Sequence, residues 1–541
     1  MDLGVQTHFG QDWHDRLIPA IERIEADHTR DAVYWARVER APGVIQFEGF
    51  DTSHPAVVSA RGIETRLVFN ERNPIYEDGN TVQSALGLAA FADYVARTVA
   101  QFPSVTTVEI GNEFNGTFVR GPLEAAGPVE RAKAHARIVA AVAAKLRETA
   151  PEVRVLGGAA HSIPLVYLKP MVEAGILADI DALVVHPYSS PPAHVGEHLA
   201  IARSALGAPD LAIHATEFGQ EGLSPAEAAG YLVRMATALA AGGVESATWY
   251  ALVEQQRYPG MGLVERDGRE RPAAAAFRLM QRLLDLGTPV PVTLGPSMRA
   301  YDFAGRALVI WGLPRAVADR AGLTWVTATG APVDAPAFTA EAPVIALAPE
   351  PVDFAATVRL EDIGVASDSY FDFSLTTQTP WRRAMRDGDG EEAPLTIQGG
   401  GARGTAWRPY LGDGSLNPLS IAEHSARPVV FDKPSGPAAF GLVETVDLRA
   451  LSGRAVCAHF EHRGKRSGDG VTIQLTVDGV AVRRQILRQG ETASWRVETP
   501  GAATARLSID PNGTGVGDLV ARHLAVLSDP AAACPPPVLP R

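Results

Sequence analysis

The stretch Val105-Thr-Thr-Val-Glu-Ile-Gly-Asn-Glu-Phe-Asn115 decides how the rest of the sequence is interpreted. Its β-branched and apolar residues are typical of a short buried strand, and the Asn-Gly step at its end predicts a turn. The strand leads into Glu113. A second run, Leu211-Ala-Ile-His-Ala-Thr-Glu-Phe-Gly219, has the same design and leads into Glu217. A carboxyl group at the end of a buried strand is poorly solvated, which predicts a raised pKa and a role in proton transfer.

Strand-like and helix-like segments alternate around these two runs from residue 3 to about residue 287. Eight strands are predicted near 3–8, 28–33, 64–69, 105–112, 153–159, 181–187, 211–217 and 246–251. Eight helices are predicted at Trp13–Ala26, His54–Arg61, Thr81–Phe102, Pro128–Thr149, Leu165–Gly175, Val195–Leu206, Pro225–Ala241 and Arg271–Leu286. The pattern predicts the α/β class, as a (β/α)8 TIM barrel over residues 1–290. An open doubly wound sheet is the alternative, but no Gly-rich phosphate-binding turn follows an early strand.

Length, composition and charge restrict the class of protein. The 541 residues predict three or four domains, and an apolar content of 46% with 21% charged residues is that of a soluble globular protein. The net charge of −13 argues against a nucleic-acid or anionic-membrane surface. No apolar run reaches the ~20 residues of a membrane span. Because Met1-Asp2 leads directly into a strand-like run, we expect a cytoplasmic protein, unless a leader was removed and the protein is periplasmic or secreted.

The sequence after the predicted barrel is rich in short strands. Residues 291–350 predict a small β domain, and residues 351–530 predict a β-sandwich with turns at Asp478-Gly479 and Asn512-Gly513. The sandwich is interpreted either as a carbohydrate-binding module or as a purely structural domain. Residues 531–541 are predicted to be a disordered tail. Cys534 in that tail either pairs with Cys457 or both remain free thiols.

In a barrel, the carboxyl ends of all strands face one mouth, where active sites of this fold lie. The residues predicted there are polar and aromatic: His8, Arg30, Asn70, Asn112, Glu113, His161, His186, Tyr188, Glu217, Trp249 and Tyr250. Carboxylates for chemistry, amides for hydroxyl groups and aromatic faces for apolar C–H surfaces together suit a sugar ligand.

The two Glu-bearing strand ends, on strands four and seven, resemble those of the retaining glycoside hydrolases of clan A. Further segments are similar to that clan: Arg30-Asp31 on strand two, Asn70 to Tyr76 after strand three, His186-Pro-Tyr188 on strand six, and Trp249-Tyr250 on strand eight. The resemblance covers about residues 3–350 and is strongest to family 39, which includes β-xylosidases, α-L-iduronidases and enzymes of bacterial exopolysaccharides. One departure is Gly111, which stands where the clan often has Trp and is expected to open that side of the pocket.

The resemblance implies a retaining mechanism, with Glu113 as general acid and base, Glu217 as nucleophile, and Asn112 on the sugar 2-hydroxyl. It implies carboxyl groups ~5–5.5 Å apart, no metal and no cofactor. The charge on Glu217 is expected to raise the pKa of Glu113.

Each flanking residue has a second interpretation. Arg30 either holds Glu217 ionised, which we favour, or pairs with Asp31. His186 either joins the site or is a hydrogen-bonded core histidine, and Trp249 either floors the sugar site, which we favour, or packs in the core. Tyr188 is predicted to contact a hydroxyl or a carboxylate, and His8 and His161 are placed at the rim of the pocket.

Two other functions stay open. A metal-dependent hydrolase or isomerase would use the histidines at the mouth, but such enzymes usually carry a His-X-His pair on strand one, where this sequence has Thr7-His8-Phe9. A catalytically inactive, carbohydrate-binding barrel is opposed by the presence of both glutamates. The expected partner is an oligosaccharide or polysaccharide, without nucleic acid or a membrane span. The sequence predicts neither the sugar nor an oligomeric state.

Overall fold

The structure, a computed structural model, describes residues 1–361, 364–368, 381–386, 392–394, 396–400, 407–410, 419–422, 427–430, 441–462, 470–511, 518–535 and 537, apart from residues 14, 189, 296, 320 and 321. The predicted turn at Asn512-Gly513 and tail residues 536 and 538–541 lie outside the described residues. The chain divides into two compact units, one made chiefly of Met1–Pro289 and the other of residues from Val290 onward.

The first unit is a closed barrel of eight parallel strands, which confirms the predicted fold class. The strands are β1 (Asp2–Gln6), β2 (His28–Asp31), β3 (Glu64–Phe69), β4 (Thr107–Ile110), β5 (Arg154–His161), β6 (Ala182–His186), β7 (Ile213–Phe218) and β8 (Ser246–Trp249). Each strand pairs with its neighbours in the sequence, and β8 closes the barrel on β1 with Leu3 beside Ala247. All eight carboxyl ends therefore meet at one mouth.

Helices surround the barrel. They are α1 (Ile18–Arg23), α2 (Phe50–Ser59), α3 (Ala85–Gln101), α4 (Pro128–Thr149), α5 (Leu165–Glu173), α6 (Val195–Ala205), α7 (Pro225–Ala241) and α8 (Pro272–Asp285). A short helix (Trp35–Val38) and a small hairpin (Glu39–Ala41 with Val44–Ile45) follow β2.

Two helices begin several residues later than predicted. α1 begins at Ile18 because residues Asp15–Leu17 form a separate 3-10 turn. α3 begins at Ala85 because the Ser84 hydroxyl accepts a hydrogen bond from Gly87 N at 3.0 Å and caps the helix there. α7 begins as predicted at Pro225, where Ser224 and Glu227 form a reciprocal capping box.

The second unit begins with two antiparallel sheets, an architecture that agrees with the predicted small β domain. One sheet contains Val290–Pro291, Met298–Phe303, Ala307–Gly312, Val344–Leu347 and Thr324–Thr327, and the other contains Ala337–Phe338, Arg315–Asp319 and Arg359–Glu361. The last of these strands lies beyond residue 350, so the sheet continues past the boundary drawn from the sequence. A short helix, Phe354–Thr357, precedes it.

The remainder of the unit is a β-sandwich. One sheet contains Thr396–Gly400, Trp407–Tyr410, Leu419–Ala422, Arg427–Val430, Asp518–Leu527, Ala455–His462 and Thr492–Glu498, with Val365–Asp368 beside Asp518–Leu527. The other contains Glu392–Pro394, Trp381–Arg386, Gly441–Asp447, Thr504–Pro511, Val471–Val477 and Val480–Leu487. Phe460 and Val526 from the first sheet pack with Ile473 and Leu507 from the second in one buried cluster. Apolar and polar residues alternate along Val471–Val477 and Thr504–Pro511, and the apolar ones enter this core.

Cys457 and Cys534 form a disulfide bond, which decides between the two alternatives that the sequence left open. The bond attaches the start of the proline-rich tail to the strand Ala455–His462. Among the described helices, none combines the length and apolar composition that crossing a bilayer requires.

Candidate active site

Arg30 at the end of β2 is the centre of the site. Its guanidinium group makes a bidentate ion pair with Glu109 at 2.8 Å for both contacts, and donates to Glu217 Oε1 at 2.6 Å. It also donates to Gln6 Oε1 at 2.6 Å and to Asn112 Oδ1 at 2.9 Å. All five N–H donors of the side chain are therefore used. Since Arg30 is only 3% exposed, these contacts are what makes its burial tolerable.

Gln6 and Glu109 are the two residues of this network that the sequence interpretation missed, and Glu109 is the charged one. It lies inside β4 and is 3% exposed. Burial alone would raise the pKa of Glu109, but Arg30 and His186 oppose this and lower it to about 2. A carboxylate in the middle of a buried parallel strand requires a charged partner. The signal is a glutamate between the apolar residues Val108 and Ile110. It would have identified Glu109 as the partner of a cationic side chain such as arginine.

The carboxylate group of Glu217 lies near three hydrogen-bond donors. Oε1 accepts the hydrogen bond from Arg30, and Oε2 accepts one from the Tyr188 hydroxyl at 2.9 Å. His186 Nδ1 lies 3.7 Å from Oε2. The favoured alternative for Arg30 is therefore the geometry that the structure shows. Asp31 instead accepts from Thr7 Oγ1 and from the backbone N–H of Phe9, and so fixes the start of the loop after β1.

Glu113 lies opposite Glu217, with His186 between them. His186 Nδ1 is 3.2 Å from Glu113 Oε1, and its Nε2 is 3.1 Å from Thr216 Oγ1. One carboxylate oxygen of Glu113, one of Glu217 and one ring nitrogen of His186 all lie within 4.8 Å of one another. The structure thus brings the two predicted glutamates together, across a fully buried histidine.

The charges of this group differ from the prediction in one respect. Burial opposes a charge on His186, but Glu217, Glu109 and Glu113 raise its pKa to about 9. Burial likewise favours the neutral form of Glu113, yet the hydrogen bond from His186 is decisive and lowers its pKa. The expectation of a raised pKa for Glu113 is therefore wrong for the unliganded site. Its physical reason is the neighbouring imidazolium, which the sequence did not place beside Glu113.

The backbone at Glu113 is strained. Its φ is 43°, in the left-handed region that non-glycine residues rarely occupy, and Gly111 two residues earlier has a φ of 82°. For a non-glycine residue such as Glu113 this conformation costs on the order of 1 kcal/mol, and it persists where surrounding contacts fix it. His135 of α4 supplies one such contact, because its Nε2 bonds to Ile110 O at 2.7 Å while its Nδ1 bonds to the Tyr167 hydroxyl at 2.7 Å.

Gly111 does not open the pocket, contrary to the expectation from the sequence. A Cβ atom added there would lie 3.0 Å from His135 Nε2 and 3.6 Å from Glu71 Oε2. Both of these residues are buried. The missing side chain therefore points toward a filled, polar part of the core, and the glycine is required by φ and by these neighbours.

The other predicted residues divide between the site and the core. His8 Nε2 is 3.3 Å from the Tyr250 hydroxyl, and burial lowers the pKa of His8. His161 ends β5, with its ring centroid 5.9 Å from that of Tyr188. Asn70 directly follows β3 and is half-buried, without a side-chain hydrogen bond to the described residues of the site.

Trp249 does not floor the site. It is fully buried, its indole N–H donates to Met261 O at 2.7 Å, and its ring packs against Phe218. A ring without accessible surface cannot stack on a sugar. The loop after β8 returns and covers Trp249, a long-range contact that the sequence pattern does not reveal. Tyr250, the next residue, is half-buried and lies beside His8.

Comparison with solved structures agrees with the barrel fold. A family 39 glycoside hydrolase from the gut symbiont Bacteroides cellulosilyticus WH2 has a TM-score of 0.54 at 17% identity, covering 64% of this chain and 80% of that one. The chain shares its fold with a glycoside hydrolase. No family model and no curated protein matches the sequence.

Two further solved structures are similar below a TM-score of 0.5, so the shared fold rests on the first. A glucosidase from Croceicoccus marinus has a TM-score of 0.45 at 12% identity, covering 94% of this chain and 96% of its own. The catalytic domain of the family 30 xylanase C from Talaromyces cellulolyticus has a TM-score of 0.47 at 11% identity, covering 64% of this chain and 96% of its own.

Glu113, His186 and Glu217 are also the group of described residues that a metal ion would fit by distance. The chemistry of the group opposes such a site. His186, whose pKa is raised to about 9, would have to lose its proton before a ring nitrogen could bind a metal ion, and Glu217 would have to share its contact with Arg30.

Glu71, buried behind Gly111, gives a prediction about stability. Burial raises its pKa from 4.5 to about 7, and its Oε2 has no hydrogen-bond partner among the described residues. The native state thus keeps a proton that the unfolded chain releases, so stability falls as pH rises from 4.5 toward 7. Glu71→Gln removes this ionisation. The thermal midpoint of Glu71→Gln minus that of the wild type is the quantity to compare. We expect this difference to be about 5 °C more positive at pH 8 than at pH 5.

Calorimetry at the two pH values checks this expectation. The exposed Glu221→Gln is the matched control and should show the same difference from the wild type at both. A pH-independent effect of Glu71→Gln would mean that Glu71 is ionised in the native protein.

Proposed function

We propose that the barrel is a retaining glycoside hydrolase that cleaves an oligosaccharide or polysaccharide. The observation that carries the proposal is the approach of Glu113 and Glu217, whose nearest oxygens lie within 4.8 Å. Retaining enzymes hold their two carboxyl groups ~5–5.5 Å apart, whereas inverting enzymes need ~6.5–9.5 Å to accommodate a water molecule. The shared fold with a family 39 glycoside hydrolase supports the same class of reaction.

Glu217 is the nucleophile in this proposal. Arg30 and Tyr188 each donate to one of its oxygens, which stabilises the carboxylate and fixes its orientation. Glu217 attacks the anomeric carbon while the bond to the leaving oxygen breaks, and that oxygen takes a proton from Glu113. Water then attacks the same carbon, gives its proton to Glu113 and releases Glu217.

Asn112 is the substrate-binding residue that this geometry favours most. Asn112 Oδ1 accepts a hydrogen bond from Arg30, so the amide group is oriented with its oxygen toward Arg30. The two amide N–H groups are then left as donors. Those N–H groups make no hydrogen bond with the residues that the structure describes. They are suited to a hydroxyl of the bound sugar, and the clan resemblance suggests the 2-hydroxyl.

The proton needed by the leaving group is held by Glu113 and His186 together. At 3.2 Å one proton can lie on either partner, and the raised pKa of His186, about 9, keeps it in the pair at neutral pH. We therefore expect kcat/KM to fall above pH 9, where the pair loses this proton. His186→Asn leaves Glu113 to hold the proton alone and should move the alkaline limb down by at least about one pH unit.

A pH series of kcat/KM for both proteins measures this shift. Tyr301→Phe, a change in the second unit, is the control and should leave the profile unchanged. An alkaline limb that His186→Asn leaves in place would remove His186 from the proton transfer.

The experiment that tests the function is a panel of β-D-xylosyl, glucosyl, galactosyl and mannosyl fluorides. Fluoride release identifies the reaction, and proton NMR during turnover gives the configuration of the first sugar formed. We expect a β-configured first product and no loss of activity with a chelator. An α-configured product would exclude the retaining mechanism, and loss of activity with a chelator would support the metal-dependent alternative. The carbohydrate-binding role of the sandwich stays a prediction.

A further inference from the structure

Phe118 is exposed beside the proposed catalytic acid. Among the described aromatic side chains it alone is largely exposed, with 42% of its surface accessible. It lies on the loop between β4 and α4, five residues after Glu113, and its neighbour Val119 is buried. Single exposed apolar residues are ordinary on protein surfaces. Phe118 differs from such residues in its position near Glu113 and in the contacts that fix its loop.

The loop that carries Phe118 is fixed by hydrogen bonds from two arginine side chains. Arg131 of α4 donates to four backbone carbonyl groups at its two ends: Asn115 at 3.2 Å, Gly116 at 2.5 Å, Glu124 at 2.7 Å and Ala126 at 3.1 Å. Arg120 donates to the carbonyls of Thr117 at 2.7 Å and Val119 at 3.0 Å, on either side of Phe118. A side chain on such a loop is presented at little entropic cost to a ligand.

The same loop places the backbone of Phe118 close to Glu113. Gly116 N donates to Glu113 O at 2.7 Å, and a Cβ at Gly116 would lie 3.8 Å from Glu113 Cβ. Two further residues span at most ~7 Å, so the Phe118 backbone lies within roughly 11 Å of Glu113. A general acid touches the oxygen of the leaving group, and groups just beyond it face the departing sugar.

We propose that Phe118 is the platform for the leaving-group sugar, so that the substrate has a sugar ring, and not only a small aglycone, on that side of the bond. An aromatic face packs against the apolar C–H face of a sugar ring and fixes its orientation. This inference rests on the proposed glycosidase function. It predicts that Phe118 contributes to the binding of the leaving-group sugar and of an acceptor sugar at the same place. The chemistry at the anomeric carbon should not depend on Phe118.

Competition between water and an acceptor sugar tests the proposal. A glycosyl fluoride has no leaving-group sugar, so its hydrolysis does not use the platform. A methyl β-glycoside added as acceptor must bind there before it intercepts the glycosyl-enzyme. For the fluoride that the wild type cleaves best, we expect Phe118→Ala to release fluoride normally without acceptor, while the ratio of transfer to hydrolysis falls about five- to tenfold. Phe118→Trp should keep the ratio.

Leu86→Ala is the matched control. Leu86 is the most exposed of the large apolar residues that the structure describes, at 72%, and lies at the start of α3. Leu86→Ala should change neither the rate of fluoride release nor the ratio of transfer to hydrolysis. Four outcomes overturn the platform: an unchanged ratio in Phe118→Ala, slower fluoride release in that variant, no transfer by the wild type, or a Phe118-dependent self-association seen by light scattering. If the wild type releases no fluoride from any donor, the proposed function fails first, and the two failures are thereby distinguished.

Discussion

Glu217→Ala is expected to lower kcat/KM by about 10⁴- to 10⁶-fold on every substrate, including those with excellent leaving groups. The variant lacks the atom that forms the glycosyl-enzyme, and no property of the leaving group compensates for that loss. Arg30 would also remain buried, with one donor unpaired, so the binding of a substrate analogue should be measured beside the rate. Glu221→Ala, an exposed glutamate four residues later, is the control and should keep wild-type activity.

The configuration of any rescued product distinguishes the role of Glu217 from simple damage. Azide entering the space left by Glu217 attacks the face that the nucleophile attacked, and would give an α-glycosyl azide directly from a β-substrate. A β-glycosyl azide from Glu217→Ala would show that the two glutamates have exchanged roles.

Glu113→Ala is expected to affect substrates unequally. Unactivated glycosides should lose about 10²- to 10⁴-fold in rate, because their leaving oxygen needs a proton. Aryl glycosides with good leaving groups should react normally in the first step and then stall as the glycosyl-enzyme, since water lacks its base. Azide needs no base, so it should restore turnover and yield a β-glycosyl azide.

A burst of aryl alcohol followed by a slow steady state is the measurement that checks this expectation, together with mass spectrometry of the trapped enzyme. The space for azide lies beside His186, whose contact with Glu113 is lost in the variant. Equal losses on activated and unactivated substrates would contradict the acid-base assignment.

The barrel and the approach of Glu113 to Glu217 could be predicted because strand ends carry a local signal. Glu113 and Glu217 each end an apolar run, and the alternation of strands and helices places those ends at one mouth. The register of the strands has no such signal. The register places Glu109 beside Arg30 and places His186 between Glu113 and Glu217. The position of His186 in turn lowers the pKa of Glu113.

Trp249 and Gly111 show a second limit. Trp249 is buried because Met261, twelve residues later in the loop after β8, returns to accept its N–H. Gly111 has a positive φ and faces His135 of α4, so its role depends on a helix that packs from outside the barrel. In both cases the deciding contact is non-local, and a pattern within one strand carries no information about it.

Arg30 has a consequence for how this site changes in evolution. Its five donors connect Gln6 on β1, Glu109 on β4, Asn112 just after β4, and Glu217 on β7. A substitution at any one partner leaves the others bound to a buried guanidinium with an unsatisfied donor, so the effects of two substitutions here will not add. We expect strong epistasis, in which a change at Gln6 or Glu109 is tolerated only with a second change inside the same network. Sequence drift should therefore be slow at these four positions and their arginine, while the loops around the mouth remain free to acquire new substrates.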